Sequence, residues 1–149
     1  MTASQYGEVL FEKLYPGNIA SREVLKETLS EVERILELDE AKRKRTLIRL
    51  DGGFGTDENL NWLSWRGYRF IAKGYSTLRA KKVAATVPQE DWRAGPTRGQ
   101  ELGRPTQPHR YGRKTQTVAR RWWDEKEKLH QDLLITTLVD LSQEEVAKL

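Results

Sequence analysis

One acid in this chain stands where a fold can put a carboxylate to use. In Arg45-Thr-Leu-Ile-Arg-Leu-Asp51-Gly-Gly-Phe-Gly-Thr-Asp-Glu-Asn59 a short apolar run ends in an aspartate, glycines follow, and a helix start comes next. An α/β fold delivers such a residue to the carboxyl edge of its sheet, where side chains point into a crevice and helix N-termini face it. Asp51 at that edge can coordinate a divalent cation through oxygen. The competing reading is an Asx turn or a capping role. Gly52 and Gly53 would let backbone approach a phosphate, and a tight turn explains them equally well.

Cations and aromatics supply the other candidates. Lys73, Tyr75, Arg79, Lys81 and Lys82 follow the Asp51 crevice and form a phosphate-contact set, with a solvated helix face as the alternative for Lys81 and Lys82. Trp122 and Trp123 lie beside Arg120 and Arg121 near a hairpin tip, a combination that can stack an unpaired base while holding its backbone. Neighbours on a strand point to opposite faces, so at most one of these tryptophans can do so; core packing of both is the alternative. Asp57, Glu58, Glu144 and Glu145 read as first-turn helix acids placed against the helix dipole. His109 and His130 are isolated, without metal-ligand spacing or a nearby nucleophile. A nuclease arrangement of Asp51 with Asp124-Glu125-Lys126 needs the second group on a strand, yet that stretch reads as a turn.

Composition bounds the class. The 149 residues and 17.3 kDa permit one domain with a moderate core. No apolar run approaches the roughly 20 residues that span a bilayer, and no basic start with an apolar stretch marks a secretory signal. With no Cys, disulfides and thiolate metal sites are excluded, and a cytoplasmic protein is the default. Net charge is +4, but residues 1–65 carry 9 basic and 12 acidic side chains, 66–123 carry 14 and 3, and 124–149 carry 3 and 7. The middle is therefore the part that attracts polyanions such as nucleic acid.

These residues need a scaffold, and the sequence specifies one. Residues 8–15 read as a strand closed by Pro16-Gly17-Asn18. Val24, Leu25, Leu29, Val32, Ile35 and Leu36 have helical spacing, with Asn18 or Ser21 as cap. Residues 46–50 form a short buried strand, Thr56-Asp57-Glu58 opens a helix, Gly67 closes it, and residues 68–73 resume a strand. A right-handed parallel β-α-β unit is then expected, with Asp51 and Lys73 facing one crevice. Residues 76–87 read as a basic helix and 88–112 as a Pro/Gly-rich loop. Residues 115–123 and 129–138 form a hairpin, and Ser142 opens a last helix through the capping-box order Ser-x-x-Glu.

Leu50-Asp51-Gly52-Gly53-Phe54-Gly55, the Trp62-Leu63 helix ending in Arg66-Gly67-Tyr68, and Ile71-Ala72-Lys73-Gly74-Tyr75 resemble the DDE-type transposases of bacterial insertion sequences, over nearly the whole chain. The resemblance implies an α/β fold: a partial ribonuclease-H-like core, a mixed sheet with flanking helices, in residues 1–75, a basic β-rich insertion in 76–141, and the start of a helix in 142–149. It implies a chain truncated at both ends. It also implies two-metal DNA cleavage and strand transfer with Mg²⁺ or Mn²⁺, in which Asp51 matches the second of three metal-binding acids. The first and third acids have no matching position, so this piece is expected to be inactive by itself and to hold a metal ion weakly or not at all. The implied partners are transposon-end and target DNA at the nucleoid, with a homodimer in the complete enzyme and no membrane; in related proteins an aromatic of the insertion takes up a flipped base. The alternatives are a non-catalytic DNA-binding module and the nuclease arrangement above.

Overall fold

The structure, a computed structural model, describes residues 2–3, 8–9, 12–14, 16 and 19–149. Near the N-terminus β1 (Thr2–Ala3) pairs antiparallel with β2 (Glu8–Val9). Of the strand expected over residues 8–15, only Glu8–Val9 is a strand, and residues 12–14 have no regular structure. Leu10, Phe11, Tyr15, Gly17 and Asn18 lie outside the described residues.

The remainder is an α/β arrangement around one mixed six-stranded sheet. Its elements are α1 (Ser21–Ile35), α2 (Glu40–Arg45), β3 (Leu47–Leu50), α3 (Asp57–Arg66), β4 (Arg69–Lys73), α4 (Thr77–Ala84), β5 (Arg93–Ala94), β6 (Gln100–Gly103), β7 (Gln116–Trp123), β8 (Leu129–Thr136) and α5 (Gln143–Lys148). Strand order is β3-β4-β8-β7-β6-β5, with β3 and β4 parallel and every other pair antiparallel. The β3-α3-β4 unit is the expected parallel crossover. The hairpin assigned to an insertion hydrogen-bonds to β4 directly, Ile71 opposite Thr136 and Lys73 opposite Leu134. One sheet thus runs from the Asp51 strand out to β5.

The strand period of two divides the core between the two faces. Phe70 and Ala72 of β4, Leu133 and Ile135 of β8 and Ala119 of β7 meet α1, α3 and α4 through Leu25, Leu29, Leu60, Leu63, Ala80 and Val83. Their sequence neighbours Ile71, Leu134 and Val118 point the other way, onto Val146 of α5 and Leu102.

Helix ends follow local chemistry. Thr56 caps α3 by accepting from the Asn59 N–H, and Gly67 closes it at φ 88°, a left-handed backbone that glycine adopts without a Cβ penalty. Ser76 caps α4, and Ser142 with Glu145 completes a capping box on α5. Two expectations need correction. Ser21 does not cap α1: Ala20 holds that position without a side-chain hydrogen bond. Residues 88–112 are not all loop, because residues 89–91 make a 3₁₀ turn and β5 and β6 extend the sheet. Burial of Leu102 against the α5 face outweighs the Pro and Gly content around it.

Candidate functional site

β3 and β4 leave the sheet at the same edge, and the loops beyond them build the site. Asp51 follows β3 directly and is exposed. Its Oδ1 accepts the Gly53 N–H at 2.9 Å, which is an Asx turn, while Oδ2 has no partner among the described residues. The two readings of Asp51 therefore use different oxygens: one shapes the loop, the other is open to a ligand. The loop is clamped from both sides. A Cβ on Gly53 would come within 3.4 Å of Ser21 Oγ at the start of α1, and Gly55 accepts the Tyr75 N–H at 3.1 Å.

Lys73 closes the edge at the end of β4. Its methylenes pass over Gly52, where an added Cβ would lie 3.6 Å from Lys73 Cδ, and its ammonium sits 3.3 Å from Asp132 Oδ2. Asp132 on β8 is only 5% exposed, and Arg120, directly across on β7, holds it with two bonds of 2.7 Å. Sequence reading did not single out Asp132. The signal was available: an acid entering the apolar run Asp132-Leu-Leu-Ile135 must be buried with a partner, since a lone buried charge is costly. Arg22 was also missed; it donates to Tyr75 Oη at 2.7 Å, with its guanidinium 5.6 Å from the ring centroid.

Arg79 lies behind the same edge, bound to both Asp57 oxygens at 2.5 and 2.6 Å. Tyr111 donates to Asp57 at 3.2 Å, and His109 Nε2 is 3.7 Å away. Burial raises the Asp57 pKa, but the Arg79 hydrogen bond and charge, with smaller help from His109 and Tyr111, bring it below the ordinary carboxylate range. Burial first, then the Asp57 charge, pushes the Tyr111 hydroxyl upward. This cluster borders a cavity of about 180 Å³ between the loops after β3 and β4. Asp57 is thus an ion-pair partner as well as a helix-start acid. Lys81 and Lys82 on α4 are exposed and make no ion pair among the described residues.

The β7–β8 hairpin runs past this edge. Residues 129–133 lie beyond the last β4 partner, about 16 Å of strand. Trp122 stacks on His130 with ring centroids 5.5 Å apart. Arg121 is bound to Glu101 at 2.5 Å and lies 4.1 Å from the Trp92 centroid and 5.5 Å from that of Trp123. Trp123 is the exposed member of the pair, on the face opposite Trp122. In the turn, Asp124 accepts the Lys126 and Lys128 N–H groups on Oδ1 and meets His130 on Oδ2. The His130 bond, then the backbone donors, lower its pKa. Asp124, Glu125 and Lys126 thus lie in the turn between β7 and β8 and not on a strand.

A two-metal centre needs several converging acids, and the residues present do not fit one. Among the described residues no group of three or more His, Cys, Asp or Glu comes together, and the neighbouring Asp132 is committed to Arg120 and Lys73. Asp51 offers a single open oxygen. Among the described residues no helix is long and apolar enough to cross a membrane. No family model, curated protein or solved structure matches the chain.

Proposed function

We propose that the chain is a DNA-facing part of a DDE-type transposase with a ribonuclease-H-like core, in which Asp51 is one of the metal-binding acids. The observation that carries this reading is the Asp51 carboxylate itself: exposed at the carboxyl edge of a parallel β-α-β unit, fixed through one oxygen by Gly53 and open at the other. Lys73, Lys81 and Lys82, with Tyr75 and Arg79 beside them, are the groups proposed to face DNA at this edge. The overhanging hairpin adds Arg120, Arg121, Trp122 and Trp123, of which Trp123, the exposed tryptophan of the two, is the one proposed to meet a base. Mg²⁺ or Mn²⁺ is the proposed cofactor of the complete enzyme, with DNA at the nucleoid as its partner and a second copy as a possible one. A lone carboxylate holds a hydrated divalent ion weakly, so the chain alone is expected neither to cleave DNA nor to transfer strands.

Titration of ¹⁵N-labelled protein with Mn²⁺ tests this. The amides of Gly52, Gly53 and Phe54 should broaden first, and Asp51→Asn should abolish the effect. Broadening that ignores Asp51→Asn would sink the proposal, as would robust Mg²⁺-dependent DNA cleavage by this chain. A second reading is a DNA-binding module without catalysis, in which Asp51 serves only the Asx turn it makes with the Gly53 N–H. It predicts DNA binding with no Mn²⁺ response at the Asp51 loop.

A further inference from the structure

At the end of the sheet opposite Asp51, where β3 and β4 begin, lies an open cleft of about 720 Å³, within the range of roughly 300–1,000 Å³ typical of ligand sites. Arg43, Lys44, Arg66, Arg69 and Arg113 border it, together with Trp65. Arg69 precedes Lys73 by four strand residues, so the cleft is about 13 Å from the Asp51 edge along β4 and constitutes a separate surface.

Its cations divide into two kinds. Arg43 donates to the Arg66 and Leu38 carbonyls, Arg66 is paired with Glu33, and Lys44 meets Glu40 at 2.6 Å. The Arg69 and Arg113 side chains are exposed and make no ion pair or hydrogen bond among the described residues. The backbone beside Arg113 is tied to α3, because the preceding Gly112 N–H donates to Asn61 at 2.9 Å. Trp65 is 78% exposed and has no ring contact among the described residues. A helix C-terminus would ordinarily repel an anion, but three of the last four carbonyls of α3 are covered: Leu63 accepts from Tyr68, Ser64 from Gly67 and Arg66 from Arg43.

We propose that this cleft binds a single-stranded nucleic-acid segment, with phosphates on Arg69 and Arg113 and an unpaired base on the face of Trp65. Two uncommitted guanidinium forks match phosphate geometry, and a bare indole adds stacking that every base can use. An acidic peptide would satisfy the arginines and leave the indole idle. The site does not involve Asp51, so it stands or falls apart from the function proposed above.

The test is fluorescence anisotropy of a labelled oligothymidylate of about 12 nucleotides with the full chain at low salt, together with quenching of intrinsic tryptophan fluorescence. Trp65→Ala should weaken binding about 5- to 100-fold and remove most of the quenching. Arg69→Gln combined with Arg113→Gln should weaken it at least as much as Lys81→Glu with Lys82→Glu on α4, and should flatten the salt dependence. All these side chains are exposed, and unchanged circular dichroism and melting confirm a folded variant. Wild-type affinity in the Trp65 and arginine variants overturns the proposal. So does polyglutamate or duplex DNA displacing the oligonucleotide as well as the unlabelled strand does. Neither result bears on the Mn²⁺ response of Asp51, which separates failure here from failure of the proposed function.

Discussion

Gly55→Ala should be the most damaging single methyl in the Asp51 loop, for steric rather than conformational reasons. A Cβ there would fall 1.9 Å from the Lys73 carbonyl oxygen and 2.9 Å from its carbon, where real contacts stop near 3.0 Å. Both partners are backbone, so no side chain can swing aside, and the loops after β3 and β4 must separate by about 1 Å. That movement breaks the Tyr75 N–H bond to the Gly55 carbonyl, 3.1 Å in the native chain. Overpacking of this kind costs about 1–3 kcal/mol and the hydrogen bond about 1 kcal/mol, together about 2–4 kcal/mol. At about 2–4 °C per kcal/mol for a chain of this size, Tm falls by about 4–16 °C. Gly52→Ala is the control: its Cβ would meet the flexible Lys73 side chain at 3.6 Å and the Gly74 carbonyl oxygen at 3.9 Å, ordinary contacts costing within about 0.5 kcal/mol. Scanning fluorimetry with urea unfolding measures both. A Gly55→Ala protein that melts with the wild type, or a Gly52→Ala protein that melts lower, refutes the packing argument.

Asp132→Ala strips Arg120 and Lys73 of their shared carboxylate; because both cations keep some solvent access, the loss should be about 2–3 kcal/mol, read by urea unfolding. Asp57 has a lowered pKa in the fold, so its stabilisation is complete above its unfolded value near pH 4 and is lost as pH falls through the folded one. Melting curves of Asp57→Asn should therefore fall less steeply on acidification than wild type, and parallel curves would deny Asp57 that role. Lys81→Glu with Lys82→Glu should weaken duplex DNA binding and lower the slope of log affinity against log salt by about 2, measured by anisotropy at several salt concentrations; an unchanged slope removes α4 from the DNA-facing surface.

Much of this scaffold was legible because local signals and tertiary packing agree. Thr56, Gly67 and Ser142 sit where their cap chemistry puts them, and the apolar run ending in Asp51 is a β3 strand with its acid at the rim. Legibility stopped where pairing is long-range. Gln100–Gly103 is a strand because β7 lies beside it and Leu102 enters the core, facts that no window of local sequence contains. Asp39 caps α2 and makes Lys42-Arg-Lys-Arg45 helical, an element with no buried residue and hence no apolar periodicity to announce it. Within the candidate site, Asp51 and Lys73 come together because a parallel crossover requires it. Asp132 was invisible as their neighbour, since its approach depends on which strand pairs with β4.

The same pairing redistributes the positive charge of residues 66–123. Counted along the chain it looks like a continuous basic stripe; folded, the cations facing the sheet are largely spoken for. Arg66, Lys73, Arg79, Arg120 and Arg121 each meet a carboxylate, contributed by Glu33, Asp57, Glu101 and Asp132, and three of those four acids come from the acidic flanks of the sequence. Folding thus pairs these five cations with acids 12 or more residues away in sequence. Among the described residues, uncommitted charge remains on α4 (Lys81, Lys82), around the Arg69–Arg113 cleft, and on the loops flanking β6 at Arg98, Arg104, Arg110 and Lys114. A polyanion binding through counterion release responds to uncompensated charge, so these places, rather than the paired arginines, should set the salt dependence. Substituting Arg120 or Arg121 should chiefly cost stability, because the first leaves buried Asp132 with Lys73 alone and the second leaves Glu101 without its ion-pair partner.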